Sequence, residues 1–254
     1  MPDEHDRTPK PYGDPATTTP ERVLLIQAHP DDAEFSCAGT IANWAANGAE
    51  IHYCSITSGD KGSDDAEMTG VALANMREEE QREACRILGV KSVTFLGYPD
   101  AMLMPDLNLR RELVRVMRRI RPTTLVCQDP TMRFAGREYI NHPDHIAAGE
   151  ASLAAVFPST RDRMTFPELL QEGLKPHKVP NIYIYGAAEP DCWVDITTSI
   201  ETKIAALKAH ASQLGDWDPT EMIQEWGRRS AYANPMKPEG TGQYAEAFKY
   251  MHLR

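Results

Sequence analysis

The run Arg22-Val23-Leu24-Leu25-Ile26-Gln27-Ala28 leads without a break into His29-Pro30-Asp31-Asp32-Ala33-Glu34-Phe35. The first part is a short, continuous apolar run, the mark of a strand buried on both faces of a parallel sheet. The second part gathers an imidazole and several carboxylates around a proline. Burial of apolar surface gives no reason to collect such groups. A divalent metal with an activated water does, because it needs neutral nitrogens, anionic oxygens and a nearby base. A second cluster, Asn141-His142-Pro143-Asp144-His145, has the same character far along the chain.

Outward from the first run, strands and helices alternate. Residues 35–47 are rich in small residues and helix-like, closed by Gly48 in the usual position past a helix end. A second strand is expected at Glu50–Thr57 and a polar, glycine-containing loop at Ser58–Gly70. A helix follows at Ala72–Leu88, stopped by Gly89, then a strand at Ser92–Leu96, a helix at Leu107–Ile120 and a strand at Thr123–Gln128. After Pro143 a helix is expected over Asp144–Val156, then strands at Asn181–Tyr185 and Cys192–Ile196. Ile200, Ile204, Leu207 and Ala211 predict an amphipathic helix over Ser199–Leu214. This order means βαβ units. The expected fold is α/β, a Rossmann-like, mostly parallel sheet with helices on both faces. Its active site belongs at the carboxyl ends of the strands, where both clusters emerge. No repeat or linker divides the chain, so residues 21–254 are read as one domain. Residues 1–20, rich in Pro, Thr and Asp, are read as a disordered arm.

Composition narrows the function. The chain has 254 residues, 41% hydrophobic and 25% charged, as expected of a soluble globular protein. Its 27 Lys+Arg against 37 Asp+Glu give a net charge of −10, which disfavours nucleic acid as a partner. The arginines at 110–111 and 118–119 read as the wet side of a helix. The five cysteines are scattered and never spaced Cys-x-x-Cys, which argues against a disulfide framework or a zinc knuckle. No apolar run approaches the ~20 residues of a membrane span. The polar start (MPDEHDRTPK) is unlike a secretory signal, so a cytoplasmic location is expected. No Gly-x-Gly-x-x-Gly follows the first strand, which removes support for an ordinary dinucleotide pocket.

His29 and Asp32, three apart across a proline turn, can converge on one metal. His145 would complete three protein ligands with an open position for water. Asp31 is then the natural general base, or else an anchor behind the ligands. His142 could act as an imidazolium toward a developing oxyanion, with Asp144 holding its ring and raising its pKa. The plainer reading makes these histidines turn residues and the aspartates helix caps, and for Asp144 both can hold at once.

The strand–AHPDDAEF opening and the later NHPDH resemble the PIG-L/LmbE family of zinc-dependent N-acetylglucosaminide deacetylases, from about Arg22 through the Asp195 region. That family includes deacetylases of mycothiol and bacillithiol biosynthesis and diacetylchitobiose deacetylases. The resemblance implies one Zn2+ per subunit on His29, Asp32 and His145, with Asp31 as general base. It puts His142 on the histidine that faces the tetrahedral intermediate and Asp144 on its acidic partner. Arg77 falls on an arginine that hydrogen-bonds the sugar, and Asp100 on a sugar-contacting aspartate. The bland alternatives are an exposed helix charge and a turn residue. Ala33 stands where some members carry Glu directly after the two aspartates. Ile140 stands where the mycothiol branch has tyrosine, which weakens that specific assignment.

The implied function is a cytoplasmic hydrolase that removes acetyl from a small-molecule N-acetylated amino sugar or glycoconjugate, in a homo-oligomer. The alternative is an amidase of the same family acting on a larger acyl group, such as a thiol-conjugate amide or an antibiotic precursor. Ferrous iron can occupy a similar site. A non-catalytic binding protein is the other class, and the intact ligand set with its base argues against it.

Overall fold

Every residue of the first strand, β1 (Arg22–Gln27), is buried from Val23 onward. Its two faces explain the unbroken apolar run. Leu24 and Ile26 pack on one side of the sheet with Leu109, Leu113 and Met117, while Val23 and Leu25 pack on the other with Ile41, Ala84 and Leu88.

The computed structural model describes residues 14–235 and 242–254. After β1 come α1 (Asp32–Ser36), α2 (Ala38–Ala46), β2 (Glu50–Thr57), α3 (Gly70–Leu88), β3 (Ser92–Tyr98), α4 (Leu107–Ile120) and β4 (Thr124–Gln128). A small antiparallel hairpin, β5 (Phe134–Ala135) and β6 (Tyr139–Ile140), precedes α5 (Pro143–Ala154). The remainder is α6 (Glu168–Gln171), β7 (Asn181–Tyr185), β8 (Cys192–Asp195), α7 (Ile200–Lys208), α8 (Ala211–Leu214), α9 (Thr220–Ala233) and β9 (Ala245–His252).

The seven-stranded sheet has the order β3-β2-β1-β4-β7-β9-β8. β3, β2, β1, β4 and β7 run parallel, and β9 is antiparallel to both its neighbours. The chain moves one way from β1 to β2 and returns to the other side of β1 as β4. This reversal is the switch point at which open α/β sheets bind ligands. The His29 and His142 clusters follow β1 and β4, so topology alone brings them together.

Local chemistry accounts for the helix ends. Thr69 caps α3 by accepting from the Ala72 N–H, and Asp106 caps α4 by accepting from the Leu109 N–H. Gly89 ends α3 at φ 77°, a conformation glycine adopts without strain.

Three features differ from the sequence expectation. The helix expected over Ser199–Leu214 is broken into α7 and α8 around His210, whose fully buried ring turns inward, 3.5 Å from Glu34. The helix after Pro143 stops at Ala154, and the chain over Ala155–Ser159 is kinked at Phe157, whose backbone is extended. β9 carries a buried glutamate, Glu246, which masks its strand pattern. In the expected arm, residues 14–18 form a turn, and Pro15 accepts a 2.9 Å hydrogen bond from the Tyr183 hydroxyl. Residues 1–13 lie outside the described set. All five cysteines are buried, and none forms a disulfide. Among the described residues no helix is long and apolar enough to cross a membrane.

Glu246 also braces the site's supports. It accepts from the Gly39 and Thr40 N–H groups at the start of α2 (3.0 and 2.7 Å) and pairs with buried Lys203 at 2.6 Å. Lys203 in turn donates to the Ser36 carbonyl at the end of α1. Glu246→Ala strands a buried ammonium and two amides. Urea denaturation is expected to show a loss of about 3–5 kcal/mol, whereas an exposed pair would lose under about 1.

Candidate metal centre and active site

The turn after β1 sets the geometry. Asp32 opens α1 with its side chain folded back, so that Oδ2 accepts from the Ala28 and His29 N–H groups at 3.0 and 2.9 Å. Gln128, the last residue of β4, donates to the same oxygen at 3.2 Å. Three donors on one oxygen leave Oδ1 directed at His145 Nε2, 3.0 Å away.

Each histidine beside Asp32 has one nitrogen anchored elsewhere. Asn141 Nδ2 donates to the Met132 carbonyl, which directs Oδ1 to His145 Nδ1 at 3.0 Å. An amide oxygen only accepts, so in the neutral ring Nδ1 carries the proton and the Nε2 lone pair faces Asp32. His29 Nε2 lies 3.0 Å from Asp100 Oδ1 and 3.3 Å from Asp144 Oδ2, which assigns the proton to Nε2. His29 Nδ1 is then the free nitrogen, 3.7 Å from Asp32 Oδ2. His145 thus faces one oxygen of the Asp32 carboxylate and His29 the other, and two imidazoles with a carboxylate are the donor types that a divalent cation takes. Ligand atoms of His29, His142 and His145 also lie within 4.8 Å of one another, as do those of His29, Asp100 and Asp144.

The surrounding carboxylates also act on the titration of the two histidines. Burial opposes a charged His29, yet its hydrogen bonds to Asp100, Asp144 and Asp32 raise its pKa far above the ordinary value. Burial likewise opposes a charged Asp32, but His145 and His29 hold it well below the usual carboxylate range. His145 is raised despite its burial, through Asp32. Asp32, Asp100 and Asp144 are all buried around His29, so the pocket concentrates negative charge and favours a cation.

Asp31 stands apart from this set. Its backbone is left-handed, φ 92°, which turns its carboxylate away from that of Asp32 and toward Arg77 Nη2 at 3.1 Å. Burial pushes the Asp31 carboxyl up to about 6, against the pull of Arg77 and with the help of Asp32. A carboxyl in that range suits proton transfer near neutral pH.

Arg77 is buried, not an exposed helix charge. It donates to the Gly59 and Pro30 carbonyls and to Asp31, at 3.1, 2.8 and 3.1 Å. Gly59 is required here, because a Cβ would sit 2.2 Å from the guanidinium.

Two residues are placed differently from what the resemblance implied. The Asp144 carboxylate does not hold the His142 ring. It faces His29 and accepts from the Ala101 and Leu103 N–H groups at 2.8 and 3.1 Å. His142 Nδ1 accepts instead from the Asp144 backbone N–H at 3.2 Å. The His142 pKa is lowered, by burial and then by His29, with Asp144 opposing only in part. In the neutral ring, with Nδ1 accepting, the proton sits on Nε2. Asp100 is buried against His29 and accepts from the Lys61 N–H, which pins the polar loop to the site. One of its oxygens thus meets the His29 ring and the other the polar loop.

The residues missed from sequence are amides. Asn141 orients His145, Gln128 orients Asp32, and Gln81 reaches the Asp31 backbone. Only Gln27 and Gln128 carried a signal, as polar residues that end otherwise apolar buried strands.

The sequence and the fold both have known relatives. The PIG-L family, described as GlcNAc-PI de-N-acetylase, matches residues 24–156. A diacetylchitobiose deacetylase from Thermococcus kodakarensis is 33% identical over 78% of this chain and 74% of its own length. A 1D-myo-inositol 2-acetamido-2-deoxy-alpha-D-glucopyranoside deacetylase from Actinosynnema mirum is 27% identical over 87% of this chain and 90% of its own. The solved N,N'-diacetylchitobiose deacetylase from Pyrococcus horikoshii superposes with a TM-score of 0.82 at 30% identity, over 92% of this chain and 84% of that one. The motif-bearing half of the chain and its fold thus match together, and the chain belongs to the PIG-L family.

Proposed function

We propose that this chain is a metal-dependent N-deacetylase that releases acetate from an N-acetylglucosamine-type sugar. One observation carries the proposal: His29 and His145 each have one nitrogen anchored by an acceptor and turn the other toward Asp32. His29, Asp32 and His145 would hold the ion, zinc by family resemblance, one per chain. A divalent cation supplies Lewis acidity and acidifies water at such a site.

The chain's own residues do the rest. Asp31, oriented by Arg77, takes the proton of the attacking water and hands it to the departing amine. His142, whose Nδ1 accepts from the Asp144 N–H, would donate from Nε2 to the carbonyl oxygen as negative charge develops there. Asp100 and Asp144 hold the His29 ring, and Asn141 holds that of His145. Buried cysteines without disulfides suit a reducing cytoplasm.

The relatives at 27–33% identity are named as deacetylases of acetylated amino sugars, which favours acetyl over a larger acyl group. A panel of N-acetylglucosamine, its inositol and malate glycosides and N,N'-diacetylchitobiose, read by free amine, tests the proposal. Amine release that chelation abolishes and added zinc restores is expected. Release only from sugars with longer N-acyl groups would overturn the acetyl assignment.

Asp31→Asn keeps shape but cannot accept a proton. Metal analysis is expected to show full occupancy while kcat drops by about 10²–10⁴-fold, the range for losing general acid–base help. A fully active, metal-replete variant would remove Asp31 from the mechanism.

Asn141→Leu preserves bulk and removes the acceptor that fixes the His145 tautomer. Competition with a chromogenic chelator is expected to show metal affinity about 10–100-fold weaker, the usual effect of losing such a partner. Unchanged affinity would mean that His145 is not a ligand.

A further inference from the structure

Helix α3 reaches Asp31 twice. Arg77 meets its carboxylate, and one turn later on the same face Gln81, fully buried, meets its backbone. Gln81 Oε1 accepts from the Asp31 N–H at 3.1 Å and from Gln27 Nε2 at 2.7 Å, while Gln81 Nε2 donates to Glu34 Oε1 at 3.0 Å. A flipped amide would face donor to donor on one side and acceptor to acceptor on the other, so its orientation is fixed. Gln27 closes the ring by accepting from the Ala33 N–H at 3.2 Å. Gln27, Gln81 and Glu34 are all completely buried, and together they enclose the turn that carries Asp31.

That turn needs holding. Asp31 is a non-glycine residue at φ 92°, a conformation that L-residues avoid and keep only where the surroundings impose it. The same conformation lets two consecutive aspartates serve different partners, Asp31 toward Arg77 and Asp32 toward His145. If the turn relaxed, the Asp31 carboxylate would move relative to Asp32, and a base displaced by about 1 Å loses much of its effect.

We propose that Gln81 is a positioning residue. It holds Asp31 in the left-handed conformation that separates its carboxylate from that of Asp32, and it acts on the reaction only through Asp31. This rests on the reading of Asp31 as general base.

The test uses the full metal-loaded chain, N,N'-diacetylchitobiose as substrate, and metal content and thermal unfolding as parallel readouts. Gln81→Leu is expected to lower kcat by about 10–100-fold with KM within about two-fold and the metal retained. The exchange variant Gln81→Glu/Glu34→Gln keeps a donor or acceptor at every partner. An introduced carboxylate at position 81 accepts from the Asp31 N–H and Gln27, and the introduced amide at position 34 donates to it. The exchange is expected to restore kcat to within about three-fold of the parent. Gln81→Glu alone sets two carboxylates face to face and is expected to stay slow, which keeps the comparison usable if Gln81→Leu does not fold.

Parental kcat in Gln81→Leu would overturn the proposal. So would an exchange variant that is folded and metal-replete yet no faster than Gln81→Glu. Asp31→Asn measured alongside separates the two failures. An inactive Asp31→Asn beside a fully active Gln81→Leu removes this proposal alone. An active Asp31→Asn removes the base assignment and this proposal with it.

Discussion

One carboxylate ties the two halves of the site together. Asp32 is gripped by the backbone that leads out of β1 and by Gln128 at the end of β4, and its remaining oxygen meets His145 from α5. Those elements lie on either side of the switch point, and no local sequence contact joins them. The parallel pairing of β1 with β4, Val23 to Thr124 through Leu25 to Val126, sets how far apart the two clusters stand. Register, strand burial and the meeting of Asp32 with His145 are therefore one constraint. A slip of one residue along β1 would turn its apolar faces over and carry Asp32 away from His145 together.

A second constraint is charge. Buried carboxylates without a counter-charge are costly, and here three of them gather around His29. Asp31 has its own counter-ion in Arg77, which leaves the excess on the His29 side. Added positive charge on the His29 side would offset that excess. The aspartates are adjacent in sequence, yet across the left-handed turn they have different partners and opposite pKa shifts. Separating two carboxylates by environment is a general way to obtain a ligand and a base from one residue type.

The sequence showed most of the frame, because its signals were local. The apolar β1 run, the glycine after α3 and the periodicity of α4 each reflect contacts within one element. What it concealed depends on distant partners. His210 breaks an otherwise regular amphipathic helix to reach Glu34, and Glu246 gives β9 a charge that only Lys203 and the start of α2 explain. In the site, residue type and spacing singled out His29, Asp31, Asp32 and His145, which the structure gathers in one pocket. They did not identify orientation. Asp144 and Asp100 carry the right chemistry but face His29, while Asn141, Gln128 and Gln81 are neutral amides whose importance lies wholly in where they point.

The most direct test is a crystal structure of the zinc-loaded chain with anomalous diffraction collected at the metal edge. One peak per chain is expected, bonded to His29 Nδ1, Asp32 Oδ1 and His145 Nε2 at about 2.0–2.2 Å, with Asp100 and Asp144 still on His29 Nε2. A peak on His29 Nε2 between Asp100 and Asp144, with Asp32 outside bonding distance, would contradict both the ligand assignment and the division of labour between Asp31 and Asp32.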